Sequence, residues 1–264
     1  MTATSERPVV VTRADVTTAL GAVVDPELDE PITDLGFVRS VEVGADGDVV
    51  VHLRLPTSFC SPNFAYLMAS DAKDVLAALP GVGRVVVELD DHHDSELINA
   101  GLASGAGYRG TFRHEALDSL DELRATFRRK AHTAAAERCL TALLRSRPGM
   151  VEEDLGAVVL DDLPDDDATR ALRRRRADLG VPVEAPVLLD EGFRPVPRVH
   201  VPLRLRRARS VRISVDGNAH FCRGLLRTRY PGSGADQSPR PGGTGPVPVQ
   251  LLTRRPDENQ ETTA

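Results

Sequence analysis

The stretch FVRSVEVGADGDVVVHLRL, Phe37–Leu55, decides the fold. Val41, Val43, Val49, Val51, Leu53 and Leu55 alternate with polar neighbours, the period of a half-buried strand. Ala45-Asp46-Gly47-Asp48 falls between the two runs, where a hairpin must turn. On the N-terminal side, residues 13–24 carry apolar positions at helical spacing until Asp25-Pro26 stops them. On the C-terminal side, Pro62 to Leu79 puts Phe64, Leu67, Met68, Val75, Leu76 and Leu79 on one side of a helix. Pro80-Gly81 ends that helix, and Val85–Leu89 reads as a third strand. The order helix, strand, strand, helix, strand predicts a small two-layer α+β domain over residues 1–100.

The remainder of the 264 residues reads differently. Residues 101–113 open on GLASGAGYRG, whose glycines and small residues predict a linker. A long helix is expected from His114 to Arg145, and a second from Asp166 to Leu179, with acids first and arginines last as the helix dipole favours. Val199, Val201, Leu203 and Leu205, then Val211, Ile213 and Val215, alternate with polar residues, with a turn at Asp216-Gly217. They predict that residues 114–230 are helical and then a mainly β, Arg-rich extension. Residues 231–264, rich in Pro, Gly, Ser and Thr, read as a disordered tail.

Charge separates the same halves. Residues 1–100 hold 17 Asp/Glu against 6 Lys/Arg, a net of −11, and residues 101–264 hold 22 against 27, a net of +5. Residues 194–230 alone hold 10 Arg and a single acid, Asp216. Arginine forks bind carboxylate and phosphate. No nucleic-acid-binding module is recognisable. Aromatics at 4% with no Trp argue against a base-stacking platform. Docking between the halves, or an acidic protein client, is therefore the expected use of the arginines. No run of 18 apolar residues and no basic-then-apolar leader exists, so the chain is expected to be cytoplasmic, without a membrane contact. Three dispersed cysteines with no CxxC pair argue against a disulfide scaffold or a self-contained zinc ribbon.

Cys60, in LRLPTSFCSPNF, carries the most chemistry. It stands where a strand gives way to a helix, with Ser61 as N-cap and Pro62 as first helical residue. The positive end of the helix dipole favours thiolate there, the form that binds soft metals. The alternative is a small buried hydrophobe. Asp90-Asp91-His92-His93-Asp94 offers imidazole and carboxylate for iron or zinc, against the plainer reading of a solvated acidic loop. Adjacent histidines at a strand end point to opposite sides, so one of His92 and His93 at most faces Cys60. His220 and Cys222, as His-x-Cys on an extended segment, would share a face and could give two further ligands. Cys139 is expected in a helix core, His114 and His132 on exposed helix surface, and His52 and His200 on polar strand faces.

The run Asp25-Pro26-Glu27-Leu28, with Ile32-Thr33-Asp34-Leu35-Gly36-Phe37-Val38, resembles the opening signature of the iron–sulfur cluster assembly domain family. That family includes bacterial SufT-like proteins and a subunit of the eukaryotic cytosolic iron–sulfur targeting complex. The valine hairpin, Thr57 and Cys60 before a Pro-started helix, and Leu79-Pro80-Gly81-Val82 ahead of the last strand are similar too, over residues 10–100. The resemblance implies a non-enzymatic assembly or delivery factor. It implies a transiently held iron–sulfur cluster or iron, with Cys60 as ligand and Thr57 and Asp34 beside it. The implied partners are a client apo-metalloprotein and other assembly factors, and a homodimer is compatible with it. The alternative is a chaperone or adaptor without metal, serving a client such as a non-haem iron oxygenase. Three departures mark the partner-facing end as specialised. Asp29-Glu30 replace small or apolar residues, Ser61 separates Cys60 from the proline, and Asp90–Asp94 replaces a tryptophan-containing segment.

Overall fold

A computed structural model describes residues 10–113 and 120–233. The helix α1 (Arg13–Leu20) begins on a reciprocal cap, in which the Thr12 hydroxyl accepts from the Asp15 N–H and the Asp15 carboxylate from the Thr12 N–H. Two short strands, β1 (Val24–Asp25) and β2 (Glu30–Pro31), pair antiparallel around the Asp25–Glu30 turn. The expected hairpin forms from β3 (Val38–Val43) and β4 (Val49–Arg54), with Val41 opposite Val51 and Gly47 at φ +84° in the turn. The strand β5 (Val85–Asp90) joins β4 in parallel, so the sheet order is β3-β4-β5. A parallel pair needs a crossover, and α2 (Pro62–Ala77) supplies it. Val49, Val51 and Leu53 of β4 face Ala65, Met68, Ala69, Ala72 and Leu76 of α2 in one core, which makes the domain α+β in two layers as expected.

Residues 101–110 are not a linker. They belong to α3 (Ser95–Ser104) and α4 (Gly107–Phe112), and Phe112 joins the same core. Gly101 is there because α4 crosses α3 closely: a Cβ added to it would lie 2.0 Å from the Thr111 hydroxyl oxygen. The glycine marks a packing contact between two helices, which composition alone reads as a break.

The long helix α5 runs Leu120–Ser146; its expected start at His114 lies outside the described residues, as does all but the first three residues of the expected tail. The helix α6 spans Asp167–Asp178 and is capped by the Asp166 carboxylate, which accepts from the Thr169 N–H. The expected β extension is instead one helix, α7 (Val201–Arg229), with Pro202 in its first turn. Its buried residues, Val201, Leu205, Ala208, Val215, Ala219 and Leu226, recur at helical spacing. The residues needed for strand alternation fail it: Val199 is 76% exposed, Leu203 44% and Ile213 57%. Alternation of Leu with Arg looked like a strand, but Leu, Arg and Ala are all strong helix formers. Asp216-Gly217, expected as a turn, lies inside this helix, and His200 lies in the single 3₁₀ turn before it.

A second core forms where α5, α6 and the start of α7 meet, including Cys139, Leu140, Leu143, Leu172, Val201 and Leu205. The fully buried Glu137 carboxylate accepts from Arg209 at 3.1 Å, from Thr141 at 2.8 Å and from Arg212, pinning α5 to α7. The other end of α7 belongs to the first core, where Ala219 and Leu226 are buried. One helix therefore serves both cores.

Candidate functional site

Cys60 closes the loop Pro56–Ser61 that leads from β4 into α2. The Thr57 hydroxyl organises this loop, accepting from the Phe59 N–H at 3.1 Å and lying 3.6 Å from the Cys60 sulfur. Ser61 occupies the N-cap position without a side-chain capping bond, and Pro62 follows as expected. Cys60 is half-buried against the first core, and Phe59 beside it is 82% exposed.

The residues after β5 hold the loop from the side. The histidines do point apart. His92 is buried and gives its Nε2–H to the Cys60 carbonyl at 2.8 Å, while its Nδ1 accepts from the Asp94 N–H at 3.1 Å. Both imidazole nitrogens are thereby occupied, and His92 positions the Cys60 backbone. His93 turns outward and stacks on Phe59, ring centroids 5.9 Å apart.

The end of α7 closes the third side. Arg229 donates to the Leu55 carbonyl at 3.2 Å, the Ser58 hydroxyl at 2.7 Å and the Asp91 carbonyl at 2.6 Å. Tyr230 donates to the Asp91 carboxylate at 3.0 Å, and Arg54 lies over its ring at 4.9 Å. Burial pushes the Tyr230 hydroxyl up to about 12. Further along, Arg223 pairs with Glu30, and Asn218 donates to Glu27 at 3.2 Å. From α6, Arg175 pairs with Asp29 at 2.6 Å across a cleft of about 210 Å³ that also holds the Arg124–Asp71 pair. Asp29, Glu30, Asp91 and Glu27 thus each receive a side chain from the C-terminal half.

This docking carries Cys222 to the first core, against which it packs together with Cys60. Burial foremost, then Cys60, Asp25 and Glu27, push the Cys222 thiol up to about 11. His220 does not accompany it. On a helix, residues two apart point to nearly opposite sides, so the shared face expected from an extended His-x-Cys is lost, and His220 is exposed. Asp34 is exposed on the Pro31–Gly36 turn, where it accepts from the Thr33 hydroxyl at 3.2 Å. Asp25 is buried and caps its own turn, its Oδ1 accepting from the Glu27 and Leu28 N–H groups at 2.9 Å each. Among the described residues, no group of three or more His, Cys, Asp or Glu side chains that could hold a metal is assembled.

Sequence reasoning missed Arg229, Tyr230 and Asp91 as supports of the Cys60 loop. It also expected His132 on the surface, and the structure buries it at 3% exposure. The Ala131, Ala134, Ala135 stripe on either side of it was the available signal.

The sequence profile of iron–sulfur cluster assembly proteins matches residues 13–88. The chain is 41% identical over 83 residues to the iron–sulfur cluster carrier protein of Mycobacterium tuberculosis, covering 31% of this chain and 21% of that protein. It is 33% identical over 78 residues to the Fe–S protein maturation auxiliary factor of Porphyromonas gingivalis, covering 30% of this chain and 72% of that one. Against an uncharacterised protein of Methanocaldococcus jannaschii it is 37% identical over 89 residues, 34% of this chain and 92% of the relative. The chain thus spans about a fifth of the length of the mycobacterial relatives it matches. No solved structure gives a significant match. No helix among the described residues is long and apolar enough to cross a membrane.

Proposed function

Since the chain belongs, through residues 13–88, to the iron–sulfur cluster assembly protein family, we propose that it delivers an iron–sulfur cluster, or iron, to a client apoprotein. Cys60 is the transient thiolate ligand in this reading, and Cys222 is the second thiol. The observation that carries it is that Cys222 packs against the same core as Cys60, brought there by a helix that lies wholly outside residues 13–88.

The chemistry follows from the residue types. Thiolate is the soft donor that iron–sulfur clusters take. Cys60 precedes the first turn of α2, whose unpaired N–H groups favour negative charge nearby, and the Thr57 hydroxyl can donate to the sulfur. The Cys222 thiol holds its proton at neutral pH, so cargo binding displaces that proton, and the cargo's positive charge drives the displacement. Two thiols leave the other cluster positions to a client, which then takes the cargo by exchanging ligands one at a time. Exposed Phe59 and Phe221, each preceding one of the cysteines, supply apolar contact for that client.

Anaerobic reconstitution with iron and sulfide tests the reading, with bound iron counted after desalting. Cys60→Ala should lose the bound iron, Cys222→Ala should hold it more weakly, and Cys139→Ala should match wild type because Cys139 belongs to the second core. Wild-type iron content in Cys60→Ala overturns the proposal.

A further inference from the structure

The loop that ends on Cys60 also presents a surface that cargo binding does not use. Phe59 is 82% exposed, and His93, the residue after buried His92, is exposed beside it. Their rings stack with centroids 5.9 Å apart and planes at 30°. Single exposed apolar residues are common on protein surfaces. This pair differs, because backbone bonds hold both members in place. The Phe59 N–H donates to the Thr57 hydroxyl at 3.1 Å, and the His93 N–H to the Ser58 carbonyl at 2.9 Å. His92 ties the same loop through its bond to the Cys60 carbonyl at 2.8 Å. The platform is therefore ordered before a partner arrives, which lowers the cost of docking on it.

The charge beside the platform says what docks. The stretch Glu88–Glu96 holds five acids and no Lys or Arg. Three of the acids are engaged within the fold: Glu88 and Asp90 face His52, Asp90 also pairs with Arg39 at 2.7 Å, and the Asp91 carboxylate accepts from Tyr230. Asp94 and Glu96 remain. Asp94 follows His93 directly and stands at the N-cap of α3 without a side-chain capping bond, and Glu96 lies in the first turn of that helix. Neither carboxylate has a partner among the described residues. Arg229, the cation that enters this loop, is already taken up by Leu55, Ser58 and Asp91.

An aromatic face flanked by two free carboxylates is complementary to a cation. Of the two side-chain cations, the planar guanidinium suits it better. It can lie flat on a ring while its N–H edge forks to a carboxylate, whereas a Lys ammonium offers only a point charge. Aromatic residues and arginine are also the types that anchor protein interfaces.

We propose that the Phe59–His93 platform, with Asp94 and Glu96, is a docking site for an arginine side chain of a client polypeptide. Its purpose rests on the delivery reading, since an arginine seated there brings the client's chain beside Cys60. The contact itself needs neither iron nor the thiol.

The metal-free full-length protein, labelled with ¹³C-phenylalanine and ¹⁵N-histidine, is titrated with acetyl-Leu-Arg-Leu-amide and separately with acetyl-Leu-Lys-Leu-amide, and the ring signals are followed by NMR. The two peptides carry equal charge, so ionic strength does not distinguish them. The arginine peptide should give a saturable shift of the Phe59 and His93 rings that exposed His200 does not follow, and the lysine peptide should bind more weakly. Phe59→Leu, which keeps an apolar surface and removes the π face, should weaken arginine-peptide binding about 3-fold, read at His93. Asp94→Asn combined with Glu96→Gln should weaken it by about 3-fold as well. The absence of a saturable shift with the arginine peptide overturns the proposal. So does a lysine peptide that binds as tightly, or an affinity unchanged in either variant. Bound iron is not read in this titration, so its failure is distinct from a failure of the Cys60 assignment.

Discussion

Replacing Arg229 by alanine tests whether α7 clamps the Cys60 loop. The guanidinium is half-buried and donates to Leu55, Ser58 and Asp91 at 3.2, 2.7 and 2.6 Å. Charged hydrogen bonds contribute about 1.5–3 kcal/mol where they are well shielded. Partial exposure lowers this, and about 1 kcal/mol for each of the three bonds gives roughly 3 kcal/mol in all. That loss falls on the last turns of α7, which open locally before the molecule unfolds. At about 1.4 kcal/mol per factor of ten, the open fraction should rise by about 100-fold. Iodoacetamide labelling of Cys60, followed by peptide mass spectrometry, reads that fraction, and buried Cys139 is the internal reference. Alkylation of Cys60 should accelerate strongly while that of Cys139 stays slow. An Arg229→Ala protein that alkylates at Cys60 no faster than wild type, with an unmoved urea midpoint, refutes the clamp.

Asp25 and Asp29 give two further tests. Burial raises Asp25 from 3.8 to about 6, so the folded chain binds this proton more tightly than the unfolded chain does. Its contribution to stability is complete below about pH 4 and is lost as the pH rises through about 6. Asp25→Asn keeps the Oδ1 acceptor for both backbone N–H groups and should exceed wild type at pH 7 by up to about 3 kcal/mol, converging near pH 4, as urea midpoints across that range will show. Asp29 pairs with Arg175 from side chains only 13% and 21% exposed, and it stands at φ +56°. Asp29→Asn should cost about 1–2 kcal/mol by breaking the pair, and Asp29→Ala about 1 kcal/mol more because alanine resists the left-handed backbone, both measured by urea unfolding.

The first 90 residues were largely legible because their periods are unambiguous. Val49, Val51 and Leu53 cannot all be buried on one face except as a strand, and Pro62 can open α2 but not continue it. The stretch from Val199 to Val215 was not legible by period. Val201 and Leu205 are two members of a strand-like alternation and are also one helical turn apart, and only Ala208 breaks the tie. Cys60 was found from its position before a proline-started helix. Its neighbours were hidden, because Arg229 and Cys222 reach it across more than half of the chain. Yet a trace of that docking lay in the sequence. Asp29, Glu30 and Asp91 lie in the strongly acidic first hundred residues, and each meets a side chain from the Arg-rich half. His132 was misjudged for the opposite reason: a polar residue among alanines was read as surface, and the helix buries both.

The reach of α7 sets a threshold for anything that approaches Cys60. The archaeal relative, 92% of whose length is matched by 89 residues, has little room for such a helix. In this chain the helix is tethered, so it competes for its own face at an effective concentration on the order of millimolar. A passing protein that touches the face weakly cannot displace it, whereas one that binds with more contact energy than Arg223, Leu226 and Arg229 supply can. Displacement would also withdraw Cys222 in the same motion, so under the proposed delivery role the act of selecting a partner would itself loosen the cargo.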